Sequence, residues 1–234
     1  FDVILMINGH RPKTPENPAC AEMQRYEVDA LIDDTFPGME GWCAKEGEAG
    51  EIRAAAEAGR ICSIGNLIKA YNVDVHWVMK SHGPENCALV KSLNPCVMIN
   101  LRNTVIYKEP IISLARIGMF NIHSGELPTY RGLMAAWRAM CAGDEFIQPS
   151  LHLIPDAGID TGPLLGMGKF RIDKSKSFLH HSQYLYTTVL DQFVDTLVAL
   201  KAPGQDPKET LANITTTEHP GTRGAHYYKF PTDE

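Results

Sequence analysis

Asn121 and His123 stand two residues apart in FNIHSGELPTYRG (120–132), where an apolar run ends. Along a strand, residues i and i+2 point to the same face, so this spacing sets an amide beside an imidazole. A second stretch, SLHLIPDAGIDTGPLL (150–165), carries His152, Asp156 and Asp160 among glycines that let the chain turn. The loop 156–162 can therefore bring a carboxylate, Asp160, back to the end of the first strand. An amide, an imidazole and a carboxylate together suit acyl transfer to a neutral nitrogen nucleophile. The amide N–H donates to a developing oxyanion, the imidazole adds a donor or relays a proton, and the carboxylate orients and tunes the imidazole. No covalent intermediate is required, because an amine held against the acyl carbon attacks directly once its proton is removed.

The neighbouring polar residues have plainer roles. His152 sits in a strand and reads as structural or as support for the site. Asp156 reads as a turn former ahead of Gly158. Ser124 cannot pair with His123 as a nucleophile, since adjacent strand residues face opposite ways. His180 and His181 diverge by ~100° on a helix and make poor joint metal ligands. Tyr130 and Arg131 fix the loop, with Arg131 also able to meet an anionic acceptor, while Trp137 and Met140 pack a helix face.

The elements that must position these residues are legible as short apolar runs. Strands are predicted at 3–7 (VILMI), 28–32 (VDALI), 73–78 (VDVHWV), 96–100 (CVMIN) and 119–122 (MFNI). Helices are predicted between them at 51–59, 84–93, 107–115 and 133–142, from helix-forming composition and from Pro and Gly at their ends. This alternation predicts an α/β fold, a doubly wound and mostly parallel open sheet whose ligand crevice lies at the carboxyl ends of the strands. Residues 164–172 read as a further strand, and 175–200 have helical spacing over several turns. The tail 204–234 is polar, with an aromatic cluster at Tyr227, Tyr228 and Phe230. Segments 10–23, with three prolines, and 36–50, with four glycines, read as long loops.

Composition narrows the class. In 234 residues the charged share is 21% and the net charge is −6, which argues against a nucleic-acid binder. No apolar run approaches the ~18–20 residues that span a bilayer. Six cysteines show no CxxC pair or His cluster, so no metal site is expected and the thiols read as reduced and buried, in a cytoplasmic protein. The opening FDVILMI lacks an initiator Met, which suggests a chain that begins just inside the true terminus. Neither a GxGxxG nor a GxxxxGK[ST] motif is present, which disfavours dinucleotide and P-loop sites.

The pair of segments Asn-Ile-His…Leu-Pro-Thr-Tyr-Arg-Gly (121–132) and Asp-Thr-Gly-Pro (160–163) resembles the signature of the formyltransferase family that uses 10-formyltetrahydrofolate. The match is tight over 121–163 and looser back to about residue 73. The resemblance implies a Rossmann-like catalytic domain over 1–172, with a helix and tail at 173–234 packing on it. It implies Asn121, His123 and Asp160 as the catalytic trio, acting through a tetrahedral intermediate. It places the folate against Asn103, Thr104, Val105 and Ile106 on one side and Ile154, Pro155, Asp156 and Gly158 on the other, with no metal. Arg102 and Asn103 depart from the expected apolar character of that loop.

The resemblance leaves the acceptor open. The acidic end PTDE argues against tRNA, so a small-molecule amine is expected, either a nucleotide-linked amino sugar or N-hydroxyornithine in siderophore assembly. The alternatives are glycinamide ribonucleotide formyltransferase, formyltetrahydrofolate hydrolase and, in a different class, a non-enzymatic folate-binding module. No nucleic acid or membrane partner is expected, and a homodimer is left open.

Overall fold

A computed structural model describes residues 3–8, 70–78, 82–103, 105–216 and 224–229. The expected strand 28–32, helix 51–59 and loops 10–23 and 36–50 lie outside the described residues, as does Thr104. The chain divides into two compact units, Phe1–Lys80 and Ser81–Glu234. In the first, β1 (Ile4–Asn8) and β2 (Asp74–Val78) pair in parallel.

The second unit holds the site. Its α1 (Pro84–Leu93) starts on Pro84 and ends at Asn94, which takes a left-handed conformation with φ of 46°. Beyond it lies a four-stranded sheet in the order β3-β4-β7-β8, built from β3 (Val97–Leu101), β4 (Gly118–His123), β7 (Ser150–Leu153) and β8 (Leu164–Met167). β3 and β4 run parallel, whereas β7 is antiparallel to both β4 and β8, so the sheet is mixed within its α/β frame. Between β7 and β8 the reason lies in the connection: a loop joins them end to end without a helix, so no crossover returns the chain for parallel pairing.

Alternation along β4 divides the sheet's two faces. Phe120 and Ile122 enter a buried cluster with Leu151, Val189, Leu200 and Leu211. The last three belong to α4 (Thr187–Leu200) and α5 (Pro207–Ile214), which cover that face. Asn121 and His123 point to the other face, and both are buried. A second cluster joins Tyr130, Ile147 and Leu185 to the alanines of α2 (Ala135–Cys141).

Several expectations are corrected. Residues 107–115 form only a 3-10 turn at Ile112–Leu114, because Pro110 lacks an N–H and pushes Glu109 out of the helical region. The run 164–172 breaks at Gly168 into β8 and β9 (Phe170–Arg171), the latter paired with β6 (Phe146–Ile147). A side chain at Gly168 would lie 2.1 Å from Thr188 Oγ1, so the break lets α4 approach closely. The stretch 175–200 is two helices, α3 (Phe178–Tyr184) and α4, separated at the buried Leu185. The polar tail contains α5, signalled by Asp206 capping the Lys208 N–H and by Pro207 in the first turn. Cys87, Cys96 and Cys141 are free thiols, but Cys96 and Cys141 are exposed rather than buried, Cys96 accepting a hydrogen bond from Arg116. Among the described residues no helix is long and apolar enough to cross a membrane.

Candidate active site

Asn121 and His123 owe their placement to β4, and the turn after that strand is latched to β7. Ser150 Oγ donates to Gly125 O and accepts from the Leu127 N–H. After the cis Leu127–Pro128 bond, Tyr130 donates its hydroxyl to Asp144 over 2.6 Å. The short β5 (Arg131–Gly132) then pairs in parallel with β10 (Tyr227–Tyr228), so part of the tail's aromatic cluster braces this loop. Gly132 has φ of +90°, and a Cβ there would meet Tyr228 O at 2.2 Å. Only glycine fits, and the conformation it permits aims its N–H at Asp160 Oδ2, 2.7 Å away.

Asp160 is brought in by the loop between β7 and β8. Arg131 clamps that loop, donating from Nε and Nη2 to Ile159 O over 2.9 and 2.7 Å. Its guanidinium therefore fixes the loop, one of the two roles expected for it. Asp160 itself has φ of 51°, a left-handed conformation that carboxamide and carboxylate side chains tolerate best.

The three residues converge on one carboxylate. Asp160 Oδ2 lies 3.5 Å from His123 Nδ1, and Oδ1 lies 3.5 Å from Asn121 Nδ2. His123 Nε2 is 2.6 Å from Tyr130 O, and a carbonyl can only accept, so Nε2 carries the proton. In the neutral ring, Nδ1 then presents its lone pair toward the site. Burial lowers the His123 pKa, with His152 adding to the effect, against the opposing pull of Asp160 and the Tyr130 carbonyl. Burial would raise Asp160, but His123, His152 and the Gly132 N–H outweigh it and hold the carboxyl at about 2. With His123 uncharged near neutral pH, the Gly132 N–H is the donor that stabilises the carboxylate there.

His152, expected as structural or as support, is a direct neighbour of the trio. Its Nδ1 lies 2.7 Å from Leu153 O, which fixes the proton on that nitrogen, so Nε2 accepts from Asn121 Nδ2 at 2.9 Å. The 3.5 Å approach of Nε2 to Asp160 is thus no ion pair in the neutral ring. Asn100, absent from the residues singled out by motif and spacing, donates Nδ2 to Asn121 Oδ1 over 2.8 Å. A signal for it exists, since Asn100 ends a run paralleling 119–122.

The expected folate-contacting residues fall on two segments, one after β3 and one after β7. After β3, Asn103 Oδ1 accepts from the Val105 N–H and its Nδ2 donates to Tyr107, which explains a polar residue there as a loop brace. Arg102 donates to Ser182 O and stacks 5.5 Å over Tyr186, so it also serves structure. Ile106 remains 46% exposed, an apolar surface open for contact. After β7, the Ile154 N–H is spent on Met119 O, and Asp156 accepts from the Gly158 N–H in a side-chain turn. Pro155 lies between them.

The α/β fold thus converges an amide, an imidazole and a carboxylate at the end of a buried strand. Comparison with known proteins narrows the class: the Formyl transferase family model matches residues 60–192, and the chain belongs to that family. A methionyl-tRNA formyltransferase of Thermosynechococcus vestitus is 32% identical over 135 residues, covering 56% of this chain and 40% of that protein. A second, from Methylococcus capsulatus, is 33% identical over 153 residues, covering 64% and 48%. The chain thus spans less than half the length of these relatives. Among solved structures, the formyltransferase PseJ from Anoxybacillus kamchatkensis, in complex with UDP-4,6-dideoxy-4-formamido-L-AltNAc and tetrahydrofolate, has a TM-score of 0.50 at 14% identity, over 70% of this chain and 79% of that one. Phosphoribosylglycinamide formyltransferase from Streptococcus pneumoniae TIGR4 has a TM-score of 0.51 at 17% identity, over 61% and 83%. At such identities these two establish a shared fold.

Proposed function

We propose that the chain transfers a formyl group from 10-formyltetrahydrofolate to the amino nitrogen of an acceptor. The observation that carries this reading is the convergence of Asn121 Nδ2 and His123 Nδ1 on the Asp160 carboxylate, each at 3.5 Å. Contacts of that length leave the second Asn121 N–H and the Nδ1 lone pair available to a ligand. Family membership and the tetrahydrofolate bound to the structural relative PseJ support the donor.

When bound, the folate supplies an activated formyl carbon on nitrogen. Asn103, Val105 and Ile106 would hold it on one side and Ile154, Pro155, Asp156 and Gly158 on the other. The fit is chemical: Ile106 offers exposed apolar surface, and Asp156 spends Oδ1 on the Gly158 N–H of its own loop. Asn121 donates an N–H to the formyl oxygen as negative charge develops there. His123 Nδ1 takes the proton that the acceptor nitrogen loses as its bond to the formyl carbon forms. Nδ1 then returns that proton to the departing nitrogen as the old carbon–nitrogen bond breaks, so no net charge remains. Asp160 stabilises the imidazolium between these transfers.

The preferred acceptor is a small-molecule amine, such as a nucleotide-linked amino sugar or N-hydroxyornithine, in keeping with a net charge of −6. The curated relatives motivate a second reading, methionyl-tRNA. A screen with 10-formyltetrahydrofolate tests both. Its arms are UDP- and dTDP-linked amino sugars, N-hydroxyornithine, glycinamide ribonucleotide, methionyl-tRNA and no acceptor. Tetrahydrofolate release with formylation of one amine is expected. Formate release without any amine indicates a hydrolase, and binding of tetrahydrofolate without turnover in any arm refutes the transfer reading.

A further inference from the structure

Three neighbouring strands carry a polar row across the sheet. Asn100 on β3 pairs with Asn121 on β4, and Asn121 pairs with His152 on β7. All three side chains are buried, at 8%, 9% and 2% exposure, on the face opposite the packed Phe120 and Ile122. Hydrogen bonds join them in one direction: Asn100 Nδ2 to Asn121 Oδ1 at 2.8 Å, Asn121 Nδ2 to His152 Nε2 at 2.9 Å, and His152 Nδ1 to Leu153 O at 2.7 Å.

Direction matters because an Asn side chain is nearly symmetric in shape but not in chemistry. In the observed sense, Asn121 turns its N–H groups to His152 and to Asp160. Turned over, it would set a carbonyl oxygen against the Asp160 carboxylate and the His152 lone pair, and no donor would face the reacting oxygen. The far end of the row is Asn100 Oδ1, which is buried without a hydrogen-bond partner among the described residues. An unpaired buried acceptor is destabilising, so packing alone gives no reason to retain an amide at position 100. Its Nδ2, by contrast, supplies a donor to Asn121 Oδ1 at good hydrogen-bond length.

We propose that Asn100 is a positioning residue, which locks the Asn121 amide with its N–H groups toward the reaction centre by donating to Asn121 Oδ1. This rests on the reading of Asn121 as the oxyanion donor. The two ends of the row act together. Leu153 O sets the His152 tautomer, which demands a donor from Asn121, and Asn100 demands an acceptor. Each hydrogen bond in such a chain also polarises the next, which makes the free Asn121 N–H a stronger donor.

The test reads direction separately from turnover. In the wild-type protein, ¹⁵N NMR of the His152 ring at pH 7.5 is expected to find the proton on Nδ1, and a proton on Nε2 would overturn the proposal. Asn100→Asp keeps the shape and, when ionised, leaves only acceptors facing Asn121 Oδ1, so the amide is expected to turn over and its oxygen to draw the His152 proton to Nε2 against the pull of Leu153 O. If the wild-type screen finds formyl transfer, kcat of the variant is expected to fall on the order of 10²-fold, the cost of losing one oxyanion donor, with the donor KM changed less than twofold. A variant that keeps the wild-type His152 tautomer, or wild-type kcat with a turned amide, refutes the positioning role. Absence of transfer in the wild-type screen would instead count against the proposed function, because the NMR result stands without it.

Discussion

Replacing Asp160 by Asn should test the carboxylate's structural and chemical roles together, because both scale with its charge. The carboxyl is held at about 2, down from 3.8. At 1.36 kcal/mol per pH unit this is roughly 2 kcal/mol in favour of the ionised form, and the side chain is only 10% exposed, so solvent screens it little. The folded-state pKa is depressed, so this stabilisation is present in full above about pH 4 and lost as pH falls toward 2. In Asp160→Asn the carboxamide oxygen can still accept from the Gly132 N–H, but its NH2 then faces the N–H of Asn121. Urea unfolding should therefore show the variant up to about 2 kcal/mol less stable than wild type above pH 4, less where His123 is uncharged, with the gap closing between pH 4 and pH 2.5. Turnover should fall by about 10²–10⁴-fold, the range for loss of acid–base support, since the imidazolium of His123 has no counter-charge. A stability gap that stays constant from pH 7 to pH 3 would refute the electrostatic reasoning. A kcat within threefold of wild type would remove Asp160 from the mechanism.

Four further outcomes are expected. His123, with its pKa lowered by burial, should titrate below 6.5 by ¹H NMR; stability should fall as pH drops from 6.5 toward that value, and kcat/KM should share the same acid limb. Arg131→Lys removes the fork that grips Ile159 O, and should lower kcat about tenfold with acceptor KM unchanged, whereas a rise in acceptor KM alone would mean that Arg131 meets the acceptor. Gly132→Ala places a Cβ 2.2 Å from Tyr228 O at φ of +90°, so thermal denaturation should show a loss of roughly 2 kcal/mol, with weakened amide-exchange protection at Arg131 and Leu133. Asn103→Ala removes the brace on Val105 and Tyr107, and should raise the KM for 10-formyltetrahydrofolate several-fold with little change in kcat.

The sequence reveals most of the site because its chemistry obeys chain-local rules. The two-residue spacing of Asn121 and His123 puts both on one face of β4 whatever the rest of the fold does, and the Asp-Thr-Gly-Pro turn marks the returning carboxylate. What it hides depends on which strands become neighbours. Asn100 and His152 are far apart in the chain and join through Asn121 only once β3 and β7 flank β4. The polar Arg102 and Asn103 look like defects in an apolar loop until Ser182 O and the Val105 N–H supply their partners. Arg131 looks free in sequence because its acceptor is a backbone carbonyl, which no residue pattern advertises. The same argument explains the missed α5: a polar window conceals an eight-residue helix whose signature is its Asp-Pro cap and the single buried Leu211, not its average hydropathy. Capping chemistry and strand registry thus carry the information that periodicity leaves out, and in this protein registry sets Asn100 and His152 on either side of the Asn121 amide.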